Sequence, residues 1–209
     1  FTQNLDEACR LVDISRENDI AVCVSCPPLH HPLYDRLIML LERKIIGKVC
    51  AIDAHFGFPH VEKHSKYDPD IGGGALLDVG FYPLVVGSAI IPERVVVISA
   101  AVETETGFGV DTAGTALLQF SSGVHLTGSW GYGRNYINEL RVFGETGEIR
   151  VSPVFSKPTS RAVKMELYRQ NESEEIYVPD SDQFVNMLHA FVAAVKDPTL
   201  RDFYREQAI

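Results

Sequence analysis

The sequence predicts an α+β fold: a large, mostly antiparallel sheet with helices on one face, preceded by the last helix–strand–helix of a parallel α/β unit. Three observations carry that reading. The run Ile20–Val24 is short, continuously apolar and flanked by two amphipathic patterns, which suits a strand buried on both faces of a parallel sheet. From Val95 onward, strand-like runs follow one another across turn-sized gaps, the order of an antiparallel sheet. One long apolar helix, opened by Gly72-Gly73-Gly74, interrupts the strands and carries a carboxylate.

Each element has its own signal. Asn4 and Glu7 form a capping box ahead of Leu5, Ala8, Cys9 and Val12 at helical spacing. Pro27-Pro28 stops the strand at Ile20–Val24, because proline supplies no ladder donor. Pro32 opens a second helix, with Leu33, Leu37, Leu40 and Leu41 inward and Gly47 past its end. Val49–Phe58 is a strand with partial alternation, and the polar loop 60–71 leads to the glycine run. An apolar helix then runs from about Gly74 to Ile91, and Pro83 kinks it by removing a backbone bond. Strands follow at Val95–Glu103, Thr112–Phe120, Val124–Tyr132, Ile137–Phe143, Glu148–Ser152, Val163–Arg169 and Glu175–Val178. Ser121–Gly123 and Gly144–Gly147 have hairpin-turn length. Asp182 caps a last amphipathic helix that ends at Asp197-Pro198. The expected division is residues 1–48 and 49–209.

Composition narrows the function. The chain of 209 residues is 45% hydrophobic and 22% charged, ordinary for a globular protein. Its net charge of −9 argues against nucleic acid as partner, since phosphate binding needs a basic face. No apolar run reaches the roughly 20 residues of a membrane span, and the first residues do not read as a signal peptide. Cys9, Cys23, Cys26 and Cys50 are too few for a disulfide framework, so a reducing cytoplasm is expected. The absent initiator Met reads as a fragment or a processed chain.

The chemistry concentrates on the glycine-led helix. Asp78 and Tyr82 are four positions apart and share a helix face. Carbonyl reduction needs a proton donor at the oxygen, and its reverse needs a base. A tyrosine serves if a nearby cation lowers its pKa, and a carboxylate can hold a substrate hydroxyl. The same pair also fits plain packing, with Asp78 favouring the helix dipole and Tyr82 half-buried.

The run Gly72-Gly73-Gly74-Ala75-Leu76-Leu77-Asp78-Val79-Gly80-Phe81-Tyr82 resembles the Gly-Gly-Gly-Ala-Leu-x-Asp-x-Gly-x-His/Tyr motif of the glucose–fructose oxidoreductase / inositol dehydrogenase (Gfo/Idh/MocA) family. The resemblance spans nearly the whole chain. It implies an NAD(P)-dependent oxidoreductase acting on a sugar, sugar derivative or diol. Tyr82 is then the acid/base, Asp78 positions substrate, and a lysine of a Glu-Lys-Pro motif lies upstream of residue 1. Residues 1–48 become the remnant of a truncated Rossmann-type domain and 49–209 the substrate-binding and oligomerisation domain. Lys66, six residues before the first motif glycine, takes the place of a frequent arginine. It is expected to contact substrate, as are Gly73, Gly74 and His31, although a solvated loop lysine has the same look. NAD or NADP would bind the full-length parent, with its pocket mostly outside this chain. No Gly-x-Gly-x-x-Gly follows a strand here, and Gly128–Gly133 has the wrong spacing.

One segment departs from the family. Where members read Gly-aromatic-Asn-Arg-Arg-Phe-His-Pro, this chain reads Ser25-Cys26-Pro27-Pro28-Leu29-His30-His31-Pro32. That departure keeps open a non-catalytic binding or regulatory member of the superfamily. The fragment alone is expected to be inactive. Family members pair through the open sheet face, and Thr112–Phe120 shows no clearly polar side, so a homodimer is expected. Cys23-x-x-Cys26 lies at a strand end rather than a helix start, which argues against redox or zinc use. His30, His31, His55, His60 and His64 match no familiar metal-ligand spacing, so a metal hydrolase is a third reading and no metal is expected. Trp130 and Tyr132 read as sheet packing or an interface.

Overall fold

A computed structural model describes residues 2–59, 65–105, 107, 109–170 and 172–208. The chain divides into two compact units, residues 1–31 with 182–209, and residues 32–181.

The smaller unit is helical. Helix α1 (Leu5–Glu17) is capped by Asn4, whose side chain accepts from the Glu7 N–H at 3.0 Å. Residues 20–26 form neither helix nor ladder. The expected strand at Ile20–Val24 has no strand partner among the described residues. A single 3₁₀ turn, Pro27–His30, follows. After the larger unit the chain returns in α4 (Gln183–Lys196), where Asp182 accepts from the N–H groups of Phe184 and Val185. Asp197 ends α4 and at once caps α5 (Pro198–Gln207), accepting from Thr199 N–H at 2.8 Å. This last helix escaped the sequence reading, which took Asp197-Pro198 only as a stop; an Asx–Pro pair also starts a helix with proline at its first position. Arg205 of α5 is buried and donates to Ser15 Oγ, Ser15 O and Ile20 O at 2.8–3.0 Å, so one guanidinium ties α5 to the end of α1.

The larger unit is the expected sheet. It opens with α2 (Pro32–Glu42), then β1 (Val49–Phe58). A π-helical turn (Leu76–Gly80) leads directly into α3 (Phe81–Ser88). Strands β2 (Val95–Thr104), β3 (Asp111–Phe120), β4 (His125–Tyr132), β5 (Ile137–Gly144), β6 (Gly147–Val151), β7 (Val163–Arg169) and β8 (Glu172–Val178) complete it. The eight strands lie in the order β2-β3-β4-β1-β5-β6-β7-β8. Only β1 and β4 run parallel, with Ala54 beside Gly128 and Phe56 beside Trp130. Every other neighbouring pair is antiparallel.

Period-two alternation decides which face is covered. Ile52, Ala54 and Phe56 of β1 and Leu126 and Trp130 of β4 are buried beneath the helical segment, and Leu140 and Val142 of β5, beside Ala54 and Ile52, are buried too. Gly80 permits that approach: a Cβ there would stand 2.6 Å from the Trp130 ring. Pro69–Ser88 is long and apolar enough to cross a membrane. It is nevertheless broken into 3₁₀, π and α pieces, and its last part packs on β1 and β4.

The opposite face is lined by Asp53 and His55, by Thr127 and Ser129, and by ion pairs between Arg141 and Glu148 (2.6 Å) and between Lys164 and Glu166 (2.8 Å). An antiparallel sheet can show such a face to water. The lack of polarity read from β3 therefore does not extend across the sheet.

Candidate active site on the glycine-led helix

The helix that carries the motif does not start as an ordinary α-helix. Gly73 N–H donates to Asp68 O and Gly74 N–H to Lys66 O, both at 2.8 Å, folding the loop back on itself. A Cβ at Gly73 would lie 2.7–2.8 Å from that backbone, and Gly74 has φ +124°. The glycines are thus required by loop closure, and their N–H groups are already bonded within the loop rather than offered outward. The helix start is capped from a distance: Asp111 Oδ2, at the start of β3, accepts from Leu76 N–H at 2.7 Å.

Asp78 sits in the π turn, where the Phe81 N–H reaches back to Leu76 O. Such turns insert one extra residue and are frequent at functional sites. One ring clash of Pro83 would fall on the carbonyl four residues earlier, that of Val79. The wider turn therefore occupies the place where the sequence predicts a kink.

Two donors converge on one oxygen of Asp78. Lys66 Nζ donates to Oδ2 at 2.5 Å, and the Tyr132 hydroxyl donates to the same oxygen at 2.8 Å. Among the described residues no bond falls on Oδ1. Lys66 lies 5.0 Å from the Phe58 ring centre and 5.8 Å from that of Tyr132, a favourable setting for a cation. Tyr132 is 6% exposed, its ring edge-on to Tyr67. Burial first, then the hydrogen bond to Asp78 and its charge, push the Tyr132 phenol far above the usual tyrosine range. It therefore acts as a fixed neutral donor. A cavity of about 400 Å³ opens beside it, lined also by Tyr67, Thr112 and Arg134.

Tyr82 is half-buried in an aromatic cluster, with ring centres 5.7 Å from Phe56, 5.4 Å from Phe81 and 6.4 Å from Phe155. The two sets meet on β1, where Phe56 and Phe58 stand edge to face at 6.0 Å. The structure thus joins Lys66 to Asp78 directly and places Tyr82 one turn further along the same helix. His31 belongs to the smaller unit and is fully buried at the end of the 3₁₀ turn. No disulfide joins Cys23 to Cys26. Among the described residues no group of three His, Cys, Asp or Glu side chains is placed to hold a metal; His60 and His64 lie outside them.

Sequence reasoning missed Tyr132 and Asp111. Tyr132 had a readable signal: it ends the series Leu126, Gly128, Trp130 on the covered face of β4. A phenol there needs a partner. Asp111 had none, because its role depends on the loop bringing Leu76 alongside.

A family model for the GFO/IDH/MocA C-terminal domain matches residues 34–150, more than half of the chain. The chain belongs to the Gfo/Idh/MocA family. Its Gfo/Idh/MocA relatives include a dTDP-3,4-didehydro-2,6-dideoxy-alpha-D-glucose 3-reductase from Actinomadura kijaniata. That protein is 29% identical over 196 residues, covering 93% of this chain and 59% of the relative. A D-xylose 1-dehydrogenase (NADP(+)) from Haloferax volcanii is 23% identical over 214 residues and 64% of its own length. Among solved structures, a 3-ketoreductase from Actinomadura kijaniata in complex with NADP and TDP-benzene superposes with a TM-score of 0.93 at 28% identity. That match covers 99% of this chain and 64% of the reductase. The chain thus spans about three fifths of the length of these relatives. Forms of the same reductase with one lysine or one tyrosine replaced have also been solved.

Proposed function

We propose that this chain is the substrate-binding and oligomerisation portion of an NAD(P)-dependent oxidoreductase acting on a sugar, sugar derivative or diol. The observation that carries the reading is the convergence of Lys66 and Tyr132 on Asp78 Oδ2, one helical turn from Tyr82. In this reading Asp78 is held by two donors on one oxygen, and its Oδ1 accepts a substrate hydroxyl. Lys66 pairs with the carboxylate and borders the substrate. Gly73 and Gly74 shape the loop that a substrate would approach. Tyr82 hands a proton to the carbonyl oxygen or takes it from the alcohol, assisted by a lysine outside this chain. The family membership and the NADP-bound reductase support it.

The described residues contain no glycine-rich strand–turn–helix to cradle a dinucleotide phosphate. The NAD or NADP pocket is therefore assigned to the rest of the parent, and a bound nicotinamide would supply or accept the hydride. Residues 1–48 are read as the edge of that nucleotide-binding domain. A cytoplasmic location follows the same reading. Assaying the 209-residue chain and the full-length parent with NAD(P)H and a panel of carbonyl sugars, nucleotide-linked ones included, tests it. Turnover is expected only from the parent; turnover by the fragment, or none by the parent, contradicts the reading.

A non-catalytic regulatory member is the alternative, favoured by one observation: Pro27-Pro28 replace the Asn-Arg part of the family segment. Self-association as a homodimer through the polar sheet face belongs to the proposal as well. Light scattering of the parent at micromolar concentration is expected to give at least twice the monomer mass, and a monomer mass would remove it.

A further inference from the structure

The two edges of the sheet are built differently. β8 carries Glu172, Glu174 and Glu175, all exposed. Charges of this kind keep a sheet edge from pairing with another chain. β2 carries no charge from Val95 to Val102, and it is exposed along nearly its whole length. Ile98 is 69% exposed, Val102 54% and Val97 48%. β3 pairs with one side of β2, and no described strand pairs with the other. The β2–β3 register is irregular at both ends, between Val95 and Val97 and between Glu103 and Thr104. The regular stretch is therefore 97–103, and its centre is Ala100.

We propose that β2 is a docking edge for the β2 strand of a second copy of this chain, running antiparallel about a two-fold axis at Ala100. Such a pairing requires a strand that complements itself when reversed. Centring on Ala100 sets Ile98 opposite the partner's Val102, and Val102 opposite the partner's Ile98. Both residues lie on one face of the sheet, since they stand beside Leu118 and Gly114 of β3. Directly opposed side chains in an antiparallel pair lie about 4.5–5.5 Å apart at Cβ, so the two most exposed apolar groups of the strand cover each other. Ser99, Ala100 and Ala101 keep the axis clear of bulk. The ends offer one opposite-charge pair: Arg94 precedes the strand and Glu105 follows it, while Glu93, beside Arg94, accepts from Ser122 N–H of its own copy. Antiparallel pairing brings Arg94 towards the partner's Glu105, whereas parallel pairing would set like charges side by side. Glu103 would face the partner's Val97, and it is already held by Arg134 of its own copy at 3.1 Å. This contact continues the sheet and uses a surface different from the sheet face proposed above.

The register is specific enough to test by cross-linking in the full-length protein. Ala100→Cys places two thiols opposite each other at a Cα separation of about 4.5–5.5 Å, within disulfide range. Ser99→Cys places them diagonally, about 7–8 Å apart, beyond that range. Under mild oxidation, non-reducing electrophoresis is expected to show a linked dimer for Ala100→Cys, well above the level of the wild type and of Ser99→Cys. As an independent readout, Ile98→Lys is expected to lower the mass measured by light scattering. No excess cross-link for Ala100→Cys, or equal cross-linking of the two variants, overturns the proposal. Hydrogen exchange showing β2 amides protected without any cross-link would overturn it too, by assigning the edge to another segment of the parent.

Discussion

At the residue scale, Asp78 is held in place by its neighbours. A half-exposed carboxylate receives a lysine and a neutral phenol on the same oxygen, and its orientation is fixed before any ligand arrives. Hydrogen bonds to a charged group are worth about 1.5–3 kcal/mol each. In the full-length protein Tyr132→Phe is therefore expected to raise KM for the sugar about tenfold with a smaller change in kcat, as measured by steady-state kinetics. A merely structural role would lower the active fraction without moving KM. Stability gives a second readout, and its sign follows from the raised phenol. The folded state keeps Tyr132 neutral at a pH where the unfolded phenol, with its usual value of 10.0, ionises. The stability it contributes is complete below pH 10 and falls as pH rises beyond it. Thermal melts of wild type and Tyr132→Phe across the alkaline range are expected to converge above that point. A gap that stays constant with pH would contradict the assignment.

At the scale of elements, the helix bearing Asp78 and Tyr82 is positioned by what it lacks. Gly80 rests on Trp130, and neither can give way, since the Trp130 ring is 2% exposed in the core. Alanine normally favours a helix over glycine by about 1 kcal/mol, but overpacking costs about 1–3 kcal/mol. Gly80→Ala is expected to be net destabilising by about 1–2 kcal/mol in urea denaturation, and a stabilised variant would show that the contact is soft. Much of this was legible beforehand. β1 and β7 were readable to the residue because alternation and flanking turns mark their ends. The spacing and the glycines singled out Asp78 and Tyr82 as a proposed pair, and the structure sets them on the π turn and the helix that follows it. Three things were not legible. The π turn leaves no mark in hydrophobic period. The role of Asp111 arises only when β3 meets the loop. The segment Ile20–Val24 has a strand's composition, yet no described strand pairs with it. Helix α5 was hidden because one dipeptide both ends a helix and begins the next.

As a whole molecule, the chain is an open eight-stranded sheet of the Gfo/Idh/MocA C-terminal type with a separate helical unit formed from both ends of the sequence. That unit gathers α1, the segment 20–26, α4 and α5, and Arg205 joins its two chain segments. Its apolar Leu5, Ile14, Phe184 and Leu188 are exposed. The functional reading rests on Tyr82 as the proton donor beside a fixed Asp78. General acid–base groups of this kind contribute about 10²–10⁴-fold to rate. The most direct measurement is kcat/KM for NAD(P)H-dependent reduction of a carbonyl sugar by the full-length protein and its Tyr82→Phe form, with folding checked by circular dichroism. A loss of about 10²-fold or more in a folded variant is expected; an unchanged kcat/KM would contradict the account.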